Sequence, residues 1–390
     1  MDPLAHTLFG ATMAETSLRK KTSLAAGACI IGANIPDVDA IAMFVSSDYS
    51  LLVRRGWTHG ILALVVWPFL LTGGLLLFDY IWRRRKNRSK SRSVYNRRRG
   101  NPNSPPLKPG SLLAISFLAV WSHPFLDWFN TYGIRLLMPF DGTWFYGDTL
   151  FIVDPWMWLL MAAAVVLARS RSIFGIAGWV VLGTAATALV TGTAVVPLAA
   201  KVAWCIAVAA ILLIRWLGWF RDRIHHVALG CFGIFALYLL FMFAGSRFTV
   251  WQVENKLAAR GVEVKEVMPE PLPARLILRE GVAVSETHYY LFRVNWLDGD
   301  SFEIMEDPIP VKKPDLIVEA ALRSPAVQGL HNWMRFPDYE VRALDGGGWR
   351  VIIRDLRFAP PDSEAESGFG IAIVDLDEKL QWISGENRSD

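Results

Sequence analysis

Eight acidic and imidazole side chains lie beside long apolar runs: His6, Asp37, Asp39, His59, His123, Asp127, Asp148 and Asp154. Ionisable groups next to hydrocarbon are costly to keep, so they read first as functional. Histidine with carboxylate is the ligand set of Zn²⁺-type hydrolytic centres, where the ion makes water acidic enough to act near neutral pH.

Spacing sharpens the reading for some of the eight and leaves others open. In Ile35-Pro36-Asp37-Val38-Asp39 the proline ends a helix, and two carboxylates follow one residue apart on a turn. One suits a metal ion while the other bridges or orients; ordinary turn chemistry is the alternative. His59 opens an apolar run in Arg55-Gly56-Trp57-Thr58-His59-Gly60, where an interfacial amphipathic residue is the alternative. His123 and Asp127 are four apart, which puts them on one helical face, although Pro124 predicts a kink between them. A buried His–Asp hydrogen bond would need the same spacing. Asp148 and Asp154 fall in, or at the end of, the loop before the next run. Asp154 precedes Pro155 and equally suits a helix N-cap. His6 stands in Ala5-His6-Thr7, before the first basic turn.

The elements that must position these groups are membrane spans. Of the 390 residues 53% are hydrophobic, 17 are tryptophan, and the mean hydropathy is +0.31, too apolar for an ordinary soluble protein. Runs 60–82, 111–130, 151–168, 173–196, 199–219 and 227–244 are long enough to cross a hydrocarbon core, which takes roughly 20 residues. A shorter run, 22–35, and residues 7–18 form two further short helices, tilted or partly re-entrant. No cleavable signal peptide is expected, because no basic region precedes the first apolar residues.

Sidedness follows from the distribution of charge, whose net value is only +4. Residues 83–110 carry a dense Lys/Arg run without an acid and several prolines, which predicts an extended, disordered cytoplasmic loop. Anionic lipid headgroups are its expected contact, and no nucleic-acid partner is expected. With that loop inside, all eight groups and residues 246–390 fall on the extracytoplasmic side of an inner, or plasma, membrane. Cys29, Cys205 and Cys231 lie in apolar spans without a CxxC pair, so neither a disulfide framework nor a thiolate site is expected. His225, His226, His288 and His331 read as interfacial or structural. No GxSxG, Walker A or GxGxxG arrangement is present, which removes serine-hydrolase and nucleotide-binding readings.

Residues 246–390 change character. A strand is expected over 289–296 with a turn at 297–300, a helix over 316–334, and hairpins over 338–344/348–356 and 369–376/379–385. The fold class expected is an α-helical polytopic membrane domain, 1–245, followed by a small α+β soluble domain with an antiparallel sheet, 246–390.

Four segments carry a family resemblance: Asp2-Pro3-Leu4-Ala5-His6-Thr7, Gly32-Ala33-Asn34-Ile35-Pro36-Asp37-Val38-Asp39, Arg54-Arg55-Gly56-Trp57-Thr58-His59, and Ser122-His123-Pro124-Phe125-Leu126-Asp127. In that order, over about residues 1–160, they resemble the YdjM family of inner-membrane proteins regarded as metal-dependent hydrolases. More distantly they are similar to the zinc-dependent phospholipase C and P1 nuclease group. That likeness implies His6, Asp37, His59, His123 and Asp127 as ligands of a divalent metal, zinc before others. The further His and Glu ligands of that group are missing after Asp127. Asp148 and Asp154 are the candidates to substitute, with Asp154 placed among the ligands. Asp39 and Asp148 are placed as general base or orienting groups. The function expected is hydrolysis of a phosphate ester on a lipid or lipid-linked substrate. The rival is a non-enzymatic transporter or assembly factor whose cluster lines an ion path or holds a structural metal. Oligomeric state is not legible in the sequence.

Overall fold

The computed structural model describes residues 1–90, 105–297, 302–360 and 368–387. Most of the basic loop, 91–104, and part of the expected turn at 297–300 lie outside the described residues. Two compact units form. One comprises Met1–Asp37, His59–Phe243 and Leu272–Leu276; the other comprises Val38–Thr58, Ala244–Pro271 and Ile277–Asp390. A linear split after residue 245 therefore omits two excursions, one of which begins just after Asp37 and ends just before His59.

The first unit is helical. Its helices are α1 (Pro3–Glu15), α2 (Ala25–Gly32), α4 (Ile61–Lys90), α5 (Pro109–Trp128), α6 (Pro155–Arg169), α7 (Ile173–Gly192), α8 (Leu198–Leu217) and the first part of α9 (Ile224–Ala258); α3 belongs to the second unit. A 3₁₀ stretch, Ile35–Phe44, follows α2. Among the described residues five helices are long and apolar enough to cross a membrane, and a sixth span results if α2 and the 3₁₀ stretch, bent by 45°, count as one. The expected span 151–168 is shorter than read: Asp154 caps and Pro155 opens α6, leaving 15 residues, or about 22 Å of helix. That falls short of a ~30 Å core.

α1 is set by its first two residues. Asp2 accepts from the Ala5 N–H at 3.0 Å, and Pro3 occupies the position where a missing N–H costs nothing. One side of α1 packs Ala5 and Leu8 against Leu126, Leu150, Met157 and Met161. The other packs Met13 and Ala14 against Cys29, Leu112 and Ile115. α2 in turn lies on α5, and this approach is close because of Gly32. A Cβ there would come within 2.7 Å of the Ala119 side chain. At the far end of α1, buried Glu15 binds Arg19 and, at 2.6 Å, Arg169 of α6.

The second unit holds two antiparallel sheets. Strands β1 (Val264–Pro271), β2 (Leu278–Ser285), β3 (His288–Asn295) and β4 (Phe302–Ile304) pair in order, with β5 (Ile309–Pro310) also on β3. Strands β6 (Pro337–Ala343), β7 (Trp349–Asp355), β8 (Ile371–Leu376) and β9 (Trp382–Asn387) form the other sheet in sequence order. Both hairpins and the strand over 289–296 match the sequence pattern closely. Two expectations are corrected. The helix over 316–334 is broken at Ser324-Pro325 into α10 (Leu316–Leu322) and α11 (Gln328–Trp333), since proline cannot continue the ladder and restricts the residue before it. The last span does not end at 244: α9 runs on to Ala258. Gly245 is not a breaker there. Trp296 occupies the space its side chain would take, within 1.8 Å, and donates its indole N–H to Thr249 at 2.9 Å.

The excursion Val38–Thr58 is anchored within the second unit through helix α3 (Ser47–Val53). The buried Asp48 carboxylate accepts from the Gly329 and Leu330 amides at 2.8 and 2.9 Å, capping α11. Two hydrogen bonds to a buried charge are worth roughly 1.5 kcal/mol or more each. Asp48→Ala is therefore expected to loosen this unit by about 3 kcal/mol. Limited proteolysis of the full-length protein checks it: cleavage within 38–58 should speed up markedly, and an unchanged rate would show that the contact holds nothing.

Candidate metal centre

A 3₁₀ stretch, a turn and the helix α5 bring Asp37, His59, His123 and Asp127 together. One ligand atom from each lies within 4.8 Å of the other three. Asp37 lies in the first turn of the 3₁₀ stretch after α2, His59 ends the turn before α4, and His123 and Asp127 sit one turn apart on α5. The Pro124 between them does not spoil the face: α5 is continuous from Pro109 to Trp128.

The geometry is tight. His59 and His123 face each other through their Nε2 atoms, 3.1 Å apart. Asp127 Oδ2 lies 3.5 Å from His59 Nε2 and 3.4 Å from His123 Nε2. Asp37 Oδ1 lies 3.8 and 3.7 Å from the same two atoms. A tetrahedral ion with bonds of about 2.0–2.1 Å has ligand–ligand edges of about 3.3–3.4 Å. The donor set fits a divalent cation on a second count. His123 Nδ1 lies 2.7 Å from the carbonyl oxygen of Ala33, which can only accept. The proton is thereby fixed on Nδ1, and neutral His123 presents a lone pair at Nε2 toward the other three groups. A ligand imidazole held by a carbonyl on its other nitrogen is the usual orienting arrangement. The histidines and Asp127 are fully buried, whereas the Asp37 side chain keeps 12% exposure. The group thus has one side on which Asp37 is reachable.

His6 comes close without joining the four. Its Nε2 is 3.2 Å from Oδ1 of Asp127, the oxygen not nearest the other imidazoles, and its ring stacks on His123 at 3.7 Å. The Met1 amino group also lies against Oδ1. His6 therefore braces Asp127 and His123, and its Nδ1 is buried without a hydrogen-bond partner among the described residues.

Asp154 is corrected from ligand to cap. One carboxylate oxygen accepts from the Met157 N–H at 2.9 Å and the other from the Tyr238 hydroxyl at 2.6 Å. The N-cap alternative is the one observed. Asp154→Asn, whose carbonyl oxygen can still accept from the Met157 N–H while its NH₂ donates to the Tyr238 oxygen, should leave metal content unchanged. Asp154→Ala should cost roughly 1–2 kcal/mol of stability and also leave it unchanged. Metal lost from folded Asp154→Ala would return this residue to the ligand set.

Asp39 belongs to the other compact unit, where its Oδ2 accepts from the Arg55 N–H at 2.9 Å and the Thr58 hydroxyl at 2.7 Å. These are the contacts of an orienting group, fixing the turn that leads to His59. Asp148 is buried with a left-handed backbone, φ +47°, and lies outside the group of four. The free cysteines also lie outside it. Sequence reasoning missed the Ala33 carbonyl, because a backbone acceptor leaves no residue-type signal. It also missed Trp158, whose indole N–H reaches the Asp2 carboxylate at 3.0 and 3.1 Å and so steadies the start of α1.

Residues 1–216 match the family described as YdjM inner membrane protein, a stretch that contains all four clustered residues. The chain belongs to the YdjM family. With its apolar helices, membership makes it a multi-pass membrane protein. The chain is also similar to a curated relative, the uncharacterized protein YfhP of Bacillus subtilis (strain 168), at 25% identity over 144 residues. That alignment covers 36% of this chain and 35% of YfhP, so the chain spans about a third of that relative's length. No solved structure matches.

Proposed function

We propose that this YdjM protein is an integral-membrane, metal-dependent hydrolase that cleaves a phosphate ester of a lipid or lipid-linked substrate at the outer leaflet. The observation that carries the reading is the convergence of two imidazole Nε2 atoms and two carboxylates at 3.1–3.8 Å, beside apolar spans. Asp37, His59, His123 and Asp127 would hold the ion, zinc before other metals, since neutral histidine with carboxylate suits it. Bound there, it supplies positive charge for a phosphoryl group and a water acidic enough to react near neutral pH. The chain's own residues do the rest. Ala33 fixes the His123 tautomer, His6 braces Asp127, and Asp39 holds the turn before His59.

Two further features support the substrate class and the sidedness. After Asp37 the chain exposes Ile41, Met43, Phe44 and Val45, the kind of surface that meets lipid rather than water. Along α4, His59 precedes the first turn and Arg83, Arg84 and Arg85 follow the apolar stretch. Arg19 follows the end of α1 and Arg169 ends α6, in each case away from His6 and Asp154. The Lys/Arg bias thus supports an outward-facing cluster.

A second reading has an observation in its favour. Four protein ligands complete a tetrahedron, the habit of structural zinc, whereas catalytic sites keep a position open. The experiment that separates them is turnover of lipid phosphates and chromogenic phosphate esters by detergent-purified protein. Chelation should abolish turnover and zinc restore it. Metal-loaded, folded protein that turns over no phosphate ester, acyl ester or amide would favour the structural ion.

A further inference from the structure

We propose that a groove between α6, α7 and α8 is a binding site for one acyl chain of an anionic phospholipid, with its phosphate at Arg215. The groove has a volume of about 800 Å³, and its walls include Leu8, Trp158, Trp179, Trp204 and Val208. That volume is in the range of built ligand sites. Along α8 it reaches from Trp204 to Arg215, eleven residues or about 17 Å at the helical rise. An extended, flexible hydrocarbon chain suits a groove of that length with apolar walls and a single cation at one end.

One end of the groove is polar. Arg215 donates from Nε to the Ser170 hydroxyl at 2.6 Å and from Nη2 to the Ser170 carbonyl. No carboxylate pairs with Arg215 among the described residues, whereas Arg169, also near the end of α6, has Glu15. A guanidinium held only by neutral acceptors at the end of an apolar groove complements a phosphodiester with no cation of its own. Along the apolar wall α7 Val190 is the one buried residue, which leaves most of that helix open to its surroundings. The groove is separate from the metal centre. Leu4 and Leu8 of α1 line it, while His6 between them turns to Asp127. The proposal therefore stands whether or not the protein is a hydrolase.

Gly183 supplies the test. It lines the groove, and a Cβ there would meet nothing within 4 Å, so Gly183→Phe extends into the groove without a clash. Losing a mid-helix glycine also favours the helix. Full-length protein, delipidated in detergent, is offered phosphatidylglycerol or phosphatidylcholine and its retained lipid counted by native mass spectrometry. The wild type should hold about one phosphatidylglycerol, roughly tenfold more tightly than phosphatidylcholine, as one charge-assisted contact predicts. Arg215→Gln should erase most of that preference while keeping a lipid. Gly183→Phe should lose both lipids with its thermal unfolding unchanged. Wild type that retains no lipid, folded Gly183→Phe that retains as much as wild type, or Arg215→Gln with the full headgroup preference would each overturn the proposal.

Discussion

Replacing His59 and His123 together by alanine is expected to strip the purified protein of its bound metal while leaving its helices in place. Zinc held by four protein ligands is bound with roughly 10–16 kcal/mol, so each ligand accounts for about 3 kcal/mol, or about a hundredfold in affinity. Two at once should weaken binding by about ten-thousandfold, beyond what survives purification. The cavity left by two rings is polar and can take water, and His6 still spans from α1 to Asp127. The fold is thus expected to persist, with circular dichroism as the control. Elemental analysis of wild type beside the double variant reads the result. Stoichiometric metal retained by the folded variant would place the ion elsewhere.

Asp127→Asn should have the second large effect. This carboxylate is the hub of the cluster: Oδ2 faces both ligand imidazoles and Oδ1 meets His6 and the Met1 amino group. Asparagine keeps the volume but removes the charge, and its NH₂ can face only groups that want an acceptor. If the proposed hydrolysis is real, kcat/KM for a lipid phosphate should fall by about a thousandfold or more, an activation difference of about 4 kcal/mol. Asp39→Asn should cost far less metal than turnover, because Asp39 holds the turn before His59 rather than the ion. Equal turnover in wild type and folded Asp127→Asn would remove Asp127 from any chemistry.

Much of the site was legible because ionisable residues are rare in apolar sequence. The i, i+4 pair His123/Asp127 and the breaker before Asp37 carried local geometry as well as identity. His59 could be placed by its position at the head of an apolar run. The same rarity argument over-reached at Asp154, where a cap before Pro155 makes the same pattern and Tyr238, 84 residues away, supplies the other partner. Asp39 looked like a partner of Asp37 because the two are adjacent in sequence; its contacts to Arg55 and Thr58 depend on how the 38–58 excursion folds. That excursion was not visible, since Asp48 carries no sign that it caps a helix 280 residues later. In the C-terminal region the strands were readable from alternation. The extension of α9 to Ala258 was not, because the apolar run ends at 244 and Ser246 and Arg247 follow it.

X-ray absorption at the metal edge of detergent-purified, full-length protein tests the metal centre most directly. About one divalent ion per chain is expected, with only nitrogen and oxygen neighbours near 2.0–2.1 Å and outer-shell scattering from two imidazole rings. Loss of that imidazole signal in the His59→Ala/His123→Ala variant would complete the assignment. An ion coordinated by oxygen alone, an ion with sulfur neighbours, or folded wild type that binds no ion when offered zinc would contradict it.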